Sequence, residues 1–186
     1  MTRFQLANGR YFAASLHREE NVDDPVRLSA LIGAVSALAD HFDLDVIFST
    51  HPRTKERLRS LDIRVNERVK FIEALGFLDY VKLQRSAFCV VSDSGTLTEE
   101  SSLLGFPAVT LREAHERPEG TENGTLIISN ASSSQLISSV TVARAQIASG
   151  VTPKMIIDYD VDDVSWRVLK IILGYVGYIN KHVWLK

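Results

Sequence analysis

The sequence is short of most things that would make it an unusual protein. It has one cysteine, Cys89, so it has no internal disulfide framework. Cys89 sits in the apolar run "AFCVV", where it reads as a small buried hydrophobe. No uninterrupted apolar run reaches the ~20 residues needed to cross a bilayer, and "IILGYVGYI" at 171–179 comes closest. The N-terminus "MTRFQLANGRYF" carries no apolar core of a secretory signal. Neither charge sign dominates: the formal net charge is -2, so there is no broad basic surface for nucleic acid. No internal repeat, low-complexity tract or metal-ligand spacing of His, Cys, Asp and Glu is readable. These absences leave a soluble, cytoplasmic chain of 186 residues, without nucleic acid, membrane or metal as partners.

What is present alternates. Short β-rich runs lie at 10–16, 44–50, 69–74, 87–92, 107–111 and 125–129. Between them run helical patterns at 25–41, 52–61, 79–86, 95–105 and 133–148. Leu28, Leu31, Ile32, Val35, Leu38 and Ala39 form a helical stripe, opened by Pro25. Gly105 closes its helix. Ser133 or Ser134 suits a cap for the helix over 133–148. "AFCVVS" is apolar without alternation, as in a strand covered on both faces. The fold class is therefore α/β, a Rossmann-like parallel sheet with helices on both faces.

The expected organisation is one domain over 1–150, a linker over 151–163 and a terminal helix over 164–186. That helix is apolar on nearly every side around 171–179, with Trp166, Tyr175, Tyr178 and Trp184 along it. Two readings stay open: a core helix at the sheet edge, or a helix that docks on a second domain. An apolar helix without its cover also favours self-association, so a homo-oligomer is expected.

Three polar clusters follow strands: "HREEN" (17–21), "THPR" (50–53) and "SDSGT" (92–96). In a parallel sheet, ligands bind beyond the carboxyl ends of the strands, so these clusters should converge on one crevice. In "SDSGT", Ser94 or Asp93 can cap the following helix and Gly95 admits a ligand to the backbone. The helix dipole favours an anion there. Glu99 and Glu100, one turn on, suit the hydroxyls of a ribose. The plain alternative is an ordinary capped helix with solvated acids. One glycine is not a Walker loop.

His17 can donate to phosphate or steady a leaving diphosphate, or be a satisfied structural residue. His51 repeats that placement, while His41 and His182 read as structural. The charged loop "REAHERPEGTENGT" (112–125) is either solvated or a site wall, and Arg112 and Arg117 could clamp phosphate.

The chain resembles the C-terminal half of the non-hydrolysing UDP-N-acetylglucosamine 2-epimerases. The motifs are "LHREENVD" (16–23), "STHPRT" (49–54) and "SDSGTLTEESSLLGFPAVTLREAHERPEGTENGT" (92–125), and the match covers about residues 10–130. The tail resembles the branch that makes UDP-N-acetyl-L-fucosamine. The resemblance implies a GT-B architecture, two Rossmann-type domains with the site between them. It implies that Ser94, Gly95 and Thr96 offer donors to the diphosphate of UDP. Glu100 would bind the ribose, and Tyr80 and backbone near Leu75 would flank the uracil. His17 would contact the phosphate or leaving group, and Arg117 would line the pocket. Arg18 and His51 match positions that hold a second, regulatory UDP-sugar in some bacterial members. Thr96 stands where Gly-Gly is usual, and Leu75 where a polar residue is common.

The family reaction eliminates UDP across C1–C2 and adds it back with C2 inverted, with no redox cofactor. The resemblance places the acid/base carboxylates on an N-terminal domain that this chain lacks, and packs the terminal helix against it. The chain alone is then expected to bind UDP weakly and not turn over. Rival readings are a GT-B glycosyltransferase half, a non-catalytic UDP-sugar binding module, and a flavodoxin-like domain without a nucleotide.

Overall fold

In the computed structural model, the described residues are 6–61, 63, 65–112 and 117–186. The chain forms two compact units, Met1–Ile156 and Ile157–Lys186.

The first unit is built on six strands: β1 (Tyr11–Ser15), β2 (Asp45–Thr50), β3 (Val69–Glu73), β4 (Cys89–Ser92), β5 (Ala108–Leu111) and β6 (Ile127–Ser129). Its helices are α1 (Glu19–Val22), α2 (Pro25–Phe42), α3 (Pro52–Ser60), α4 (Phe77–Arg85), α5 (Leu97–Leu104), α6 (Pro118–Glu122) and α7 (Ser133–Ala148). All strand pairs are parallel, in the order β3-β2-β1-β4-β5-β6. The chain leaves β1 for β2 on one side, then returns past it to β4 on the other. The gap between β1 and β4 is therefore the switch point, where an open parallel sheet offers a crevice.

The four central strands, β2, β1, β4 and β5, bury both faces because helices cover both, whereas the edge strand β3 is largely exposed. Phe12 and Ala14 of β1 join Phe48, Val91 and Val109 in a core under α2 and α7, with Leu28, Leu31, Ile32, Val35, Leu38, Leu136 and Val140. Tyr11 and Ala13, pointing the other way, meet Ile47, Val90, Leu83, Leu97 and Phe106. This explains why "AFCVVS" reads as an apolar run rather than an alternating one.

Local signals set the helix ends. Asp24 caps α2, its Oδ1 accepting from the amides of Val26 (2.8 Å) and Arg27 (3.2 Å). Pro25 fills the first helical position, whose amide would have no partner inside the helix. Gly105 ends α5 in the left-handed region at φ 70°. The residue preceding α7 is Ser132, one place earlier than expected, and its side chain makes no capping bond. Two short helices, α1 and α6, lie in segments that read as polar loop. Residues 113–116 of the charged segment lie outside the described residues.

Cys89 is fully buried and unpaired, and burial pushes its thiol up to about 12. The stretch after α7 returns to the domain. Thr125 donates to the Lys154 carbonyl at 2.9 Å, and Ser102 Oγ accepts from the Ile156 amide at 2.7 Å.

The second unit holds α8 (Val164–His182), none of whose residues is buried. Among the described residues, no helix is long and apolar enough to cross a membrane.

Candidate functional site

The crevice at the switch point is organised by a carboxylate that the sequence presents as a helix cap. Asp93 follows β4 and is 0% exposed. It does not cap α5. It turns across the gap toward β1 and accepts from the amides of His17 (3.0 Å) and Arg18 (3.0 Å) and from Asn21 Nδ2 (3.0 Å). His17 Nδ1 lies 3.2 Å from its Oδ1. Asn21 also donates to the Leu111 carbonyl at 2.9 Å and accepts from Arg27 Nε at 2.6 Å. One buried charge thus ties the ends of β1, β4 and β5 together. A buried carboxylate is tolerable when its oxygens are filled in this way. The 76-residue separation between Asp93 and His17 gives the sequence no local sign of the link.

Ser94 does not cap α5 either. Its amide donates to Ser92 Oγ at 3.0 Å, and Ser92 Oγ lies 2.7 Å from Ser15 Oγ. Ser15 Oγ in turn sits 2.9 Å from the Tyr80 hydroxyl. This hydroxyl relay seats Tyr80 at the crevice wall. Burial is the main reason its phenol is pushed up to about 12, so it stays neutral and can donate. Leu75, just before α4, packs into the same core face as Tyr80.

Around Gly95, three guanidinium groups converge. A methyl group built on Gly95 would lie 3.1 Å from Arg18 Nη2, 3.2 Å from Arg117 Nη1 and 3.7 Å from Arg112 Nη1. Arg112 is buried beside the end of β5. Arg117 precedes α6, hydrogen-bonds the Gly95 carbonyl and pairs with Glu99 at 2.7 Å. Its position depends on the next glycine. A Cβ on Gly120 would come within 2.4 Å of Thr98 Cγ2, so only glycine lets α6 lie this close to α5. The Pro-Glu-Gly spacing thereby sets where Arg117 stands.

The two adjacent acids have separate partners. Glu99 pairs with Arg117. Glu100 accepts from Thr96 Oγ1 at 3.0 Å and from Gln84 Nε2 at 2.6 Å. Thr96 Oγ1 also lies 3.0 Å from Ser94 Oγ.

The structure brings His17, Arg18, Tyr80, Ser94, Gly95, Thr96, Glu100, Arg112 and Arg117 into the region of the β1–β4 gap. His51 is exposed before α3, where its Nδ1 accepts from the Arg53 amide at 3.3 Å. Arg53 bridges back to Glu19 at 2.7 Å and to Asp23. Sequence reasoning missed Ser15 and Gln84, and gave no role of their own to Asn21 and Ser92, which end and begin two of the polar clusters. Among the described residues, no group of three or more His, Cys, Asp or Glu is placed to hold a metal ion.

Three guanidinia around a glycine at the switch point, with a carboxylate one turn along the helix, have the chemistry to hold an anion beside a pair of hydroxyls. The family model described as UDP-N-acetylglucosamine 2-epimerase matches residues 1–173. The UDP-N-acetylglucosamine 2-epimerase of Methanocaldococcus jannaschii is 37% identical over 136 residues, 71% of this chain and 37% of that protein. A structure of that enzyme in complex with UDP-GlcNAc and UDP shares 36% identity at a TM-score of 0.69, covering 72% of this chain and 38% of the other. The enzyme from Rickettsia bellii superposes with a TM-score of 0.80 and 37% identity, over 100% of this chain and 50% of its own. The chain therefore spans half or less of the length of these relatives. On the match over residues 1–173 and on these identities, this chain belongs to the UDP-N-acetylglucosamine 2-epimerase family.

Proposed function

We propose that the crevice binds the uridine diphosphate part of a UDP-2-acetamido sugar. The chain then supplies the nucleotide-binding half of an enzyme that inverts C2 by eliminating and re-adding UDP. The observation that carries this reading is the convergence of Arg18, Arg112 and Arg117 on Gly95 at the start of α5. Guanidinium nitrogens 3.1–3.7 Å from a methyl position on Gly95 concentrate donors and positive charge where an anion over the start of α5 would sit. A relative of known structure binds UDP-GlcNAc and UDP, which supports the choice of anion.

In this reading the diphosphate rests over Gly95, near Ser94 and Thr96. The ribose diol meets Glu100, and the uracil lies by Tyr80 and the backbone near Leu75. His17 Nδ1 lies 3.2 Å from Asp93 Oδ1, so Nε2 is the ring nitrogen left to meet the diphosphate. When the C1–O bond breaks, negative charge grows on the diphosphate. The guanidinia are already in place to receive it, which is where preorganised charge lowers a barrier. The same groups hold UDP for return to C1 after a proton is delivered to the opposite face of C2.

The carboxylates that remove and return the C2 proton belong, in this reading, to a second domain outside these 186 residues. The exposed apolar flank of α8, with Ile172, Val176 and Trp166, fits a surface for that domain.

Calorimetry with UDP and deuterium exchange at C2 of UDP-GlcNAc and of the UDP-2-acetamido-2,6-dideoxy-L-talose substrate test the reading together. The expected result is weak UDP binding without exchange by the chain alone, and exchange once a matching N-terminal half is added. Exchange by the chain alone contradicts the division of labour. Absence of UDP binding contradicts the nucleotide site.

A further inference from the structure

One buried side chain near the crevice has no place in the scheme above. Gln84 lies on α4, is 1% exposed, and donates through Nε2 to Glu100 Oε2 at 2.6 Å. A carboxylate only accepts, so the amide nitrogen must be the end that faces Glu100. That orientation turns Gln84 Oε1 inward, where no hydrogen-bond partner is found among the described residues. A buried carbonyl left this way lowers stability, whereas methionine or leucine would fill the space without a polar atom to satisfy. The glutamine is thus poorly suited to the core and well suited to Glu100.

Glu100 has two contacts, one on each oxygen. Thr96 Oγ1 reaches Oε1 and Gln84 Nε2 reaches Oε2. Each carboxylate oxygen has two acceptor sites, so each keeps one. Two fixed acceptors on one carboxylate match the paired hydroxyls of a vicinal diol. A glutamate without these contacts would rotate about its side-chain torsions and lose that freedom on binding.

We propose that Gln84 is a positioning residue for nucleotide recognition: it locks the Glu100 carboxylate in the orientation that receives both ribose hydroxyls. This rests on the reading of Glu100 as the ribose partner. The effect acts through Glu100 and requires no contact between Gln84 and the ligand.

The test titrates UDP and 2′,3′-dideoxy-UDP into the full chain. The proteins are wild type, Gln84→Met, Glu100→Gln and the double variant, with thermal melts for each. Wild type should prefer UDP over the dideoxy analogue by about tenfold, the size of a hydrogen bond to a charged group. Gln84→Met should lose that preference: about tenfold weaker for UDP and within about twofold for the analogue. It should also melt no lower than wild type. The double variant should bind UDP no more weakly than Glu100→Gln alone. Gln84→Asn, too short to reach Glu100, should lose the preference in the same way and covers the case in which methionine fails to fold.

Equal weakening of both ligands in Gln84→Met, or a retained preference, overturns the proposal while leaving the ribose reading intact. A wild type that binds both ligands equally overturns the ribose reading itself, and the proposal with it.

Discussion

The chain has two polar strand ends side by side, and they are built differently. At the end of β2, His51, Arg53, Asp23 and Glu19 form a solvated cluster in which acids and bases satisfy each other on the surface. At the β1–β4 gap, Asp93 is fully buried and three guanidinia crowd around a glycine. Sequence makes the two look equivalent, each a histidine and an arginine after an apolar strand. The difference is burial. A charge in water needs little from its neighbours, whereas a buried one must be held by named donors, and that holding fixes geometry. Strand-end position permits a site; a buried polar framework makes one.

The comparison is most easily broken by removing one acid from each strand end. Asp93→Ala leaves the His17 and Arg18 amides and Asn21 Nδ2 without their acceptor. It should lower stability by about 3 kcal/mol in a denaturant titration. Asp23→Ala, at the other strand end, should shift the midpoint far less, since its partners Arg53 and Arg57 are partly solvated. Equal losses would erase the distinction.

A substitution at Gly95 sharpens it next. Alanine there puts a methyl group among the guanidinia and should weaken UDP binding about tenfold, with the melting temperature unchanged. Gly95 has no positive φ, so its backbone accepts alanine. A lower melting temperature with unchanged UDP affinity would move the anion site elsewhere.

Alkaline titration separates the buried strands from the surface cluster. Burial raises Tyr11, Tyr80 and Cys89 to about 12. Each is neutral in the folded state and ionises at a lower pH when unfolded. Their contribution is complete below pH ~9 and is lost as pH rises toward 12. Stability should therefore be flat to about pH 9 and fall above it. Cys89 should resist thiol reagents until the fold opens. Asp23 behaves with the opposite sign. Hydrogen bonds from Arg53 hold its carboxyl below the usual range. That support is present at neutral pH and fades as pH drops through the acid range. The change should be the smallest of these, screened by salt.

The sheet was legible because its signals are local and repeated. Six apolar runs, the stripe of α2 and the glycine after α5 each announce themselves within a few residues. The convergence of "HREEN" and "SDSGT" was legible too, from the rule that ligands collect at carboxyl ends of parallel strands. The framework was not. Asp93 stands where a cap for α5 belongs, and its true partners lie more than 70 residues away. Gln84 sits in the polar-looking run "LQRS", and only the packing of α4 against α5 shows that it is buried. The helices α1 and α6, of four and five residues, are too short to display a period.

Diffraction from crystals soaked in UDP tests the central claim most directly. The account predicts a diphosphate lying over Gly95, with Arg18, Arg112 and Arg117 around it and the ribose hydroxyls on Glu100. A crevice left empty at saturating UDP, or nucleotide density beside His51 and Arg53 instead, would contradict it.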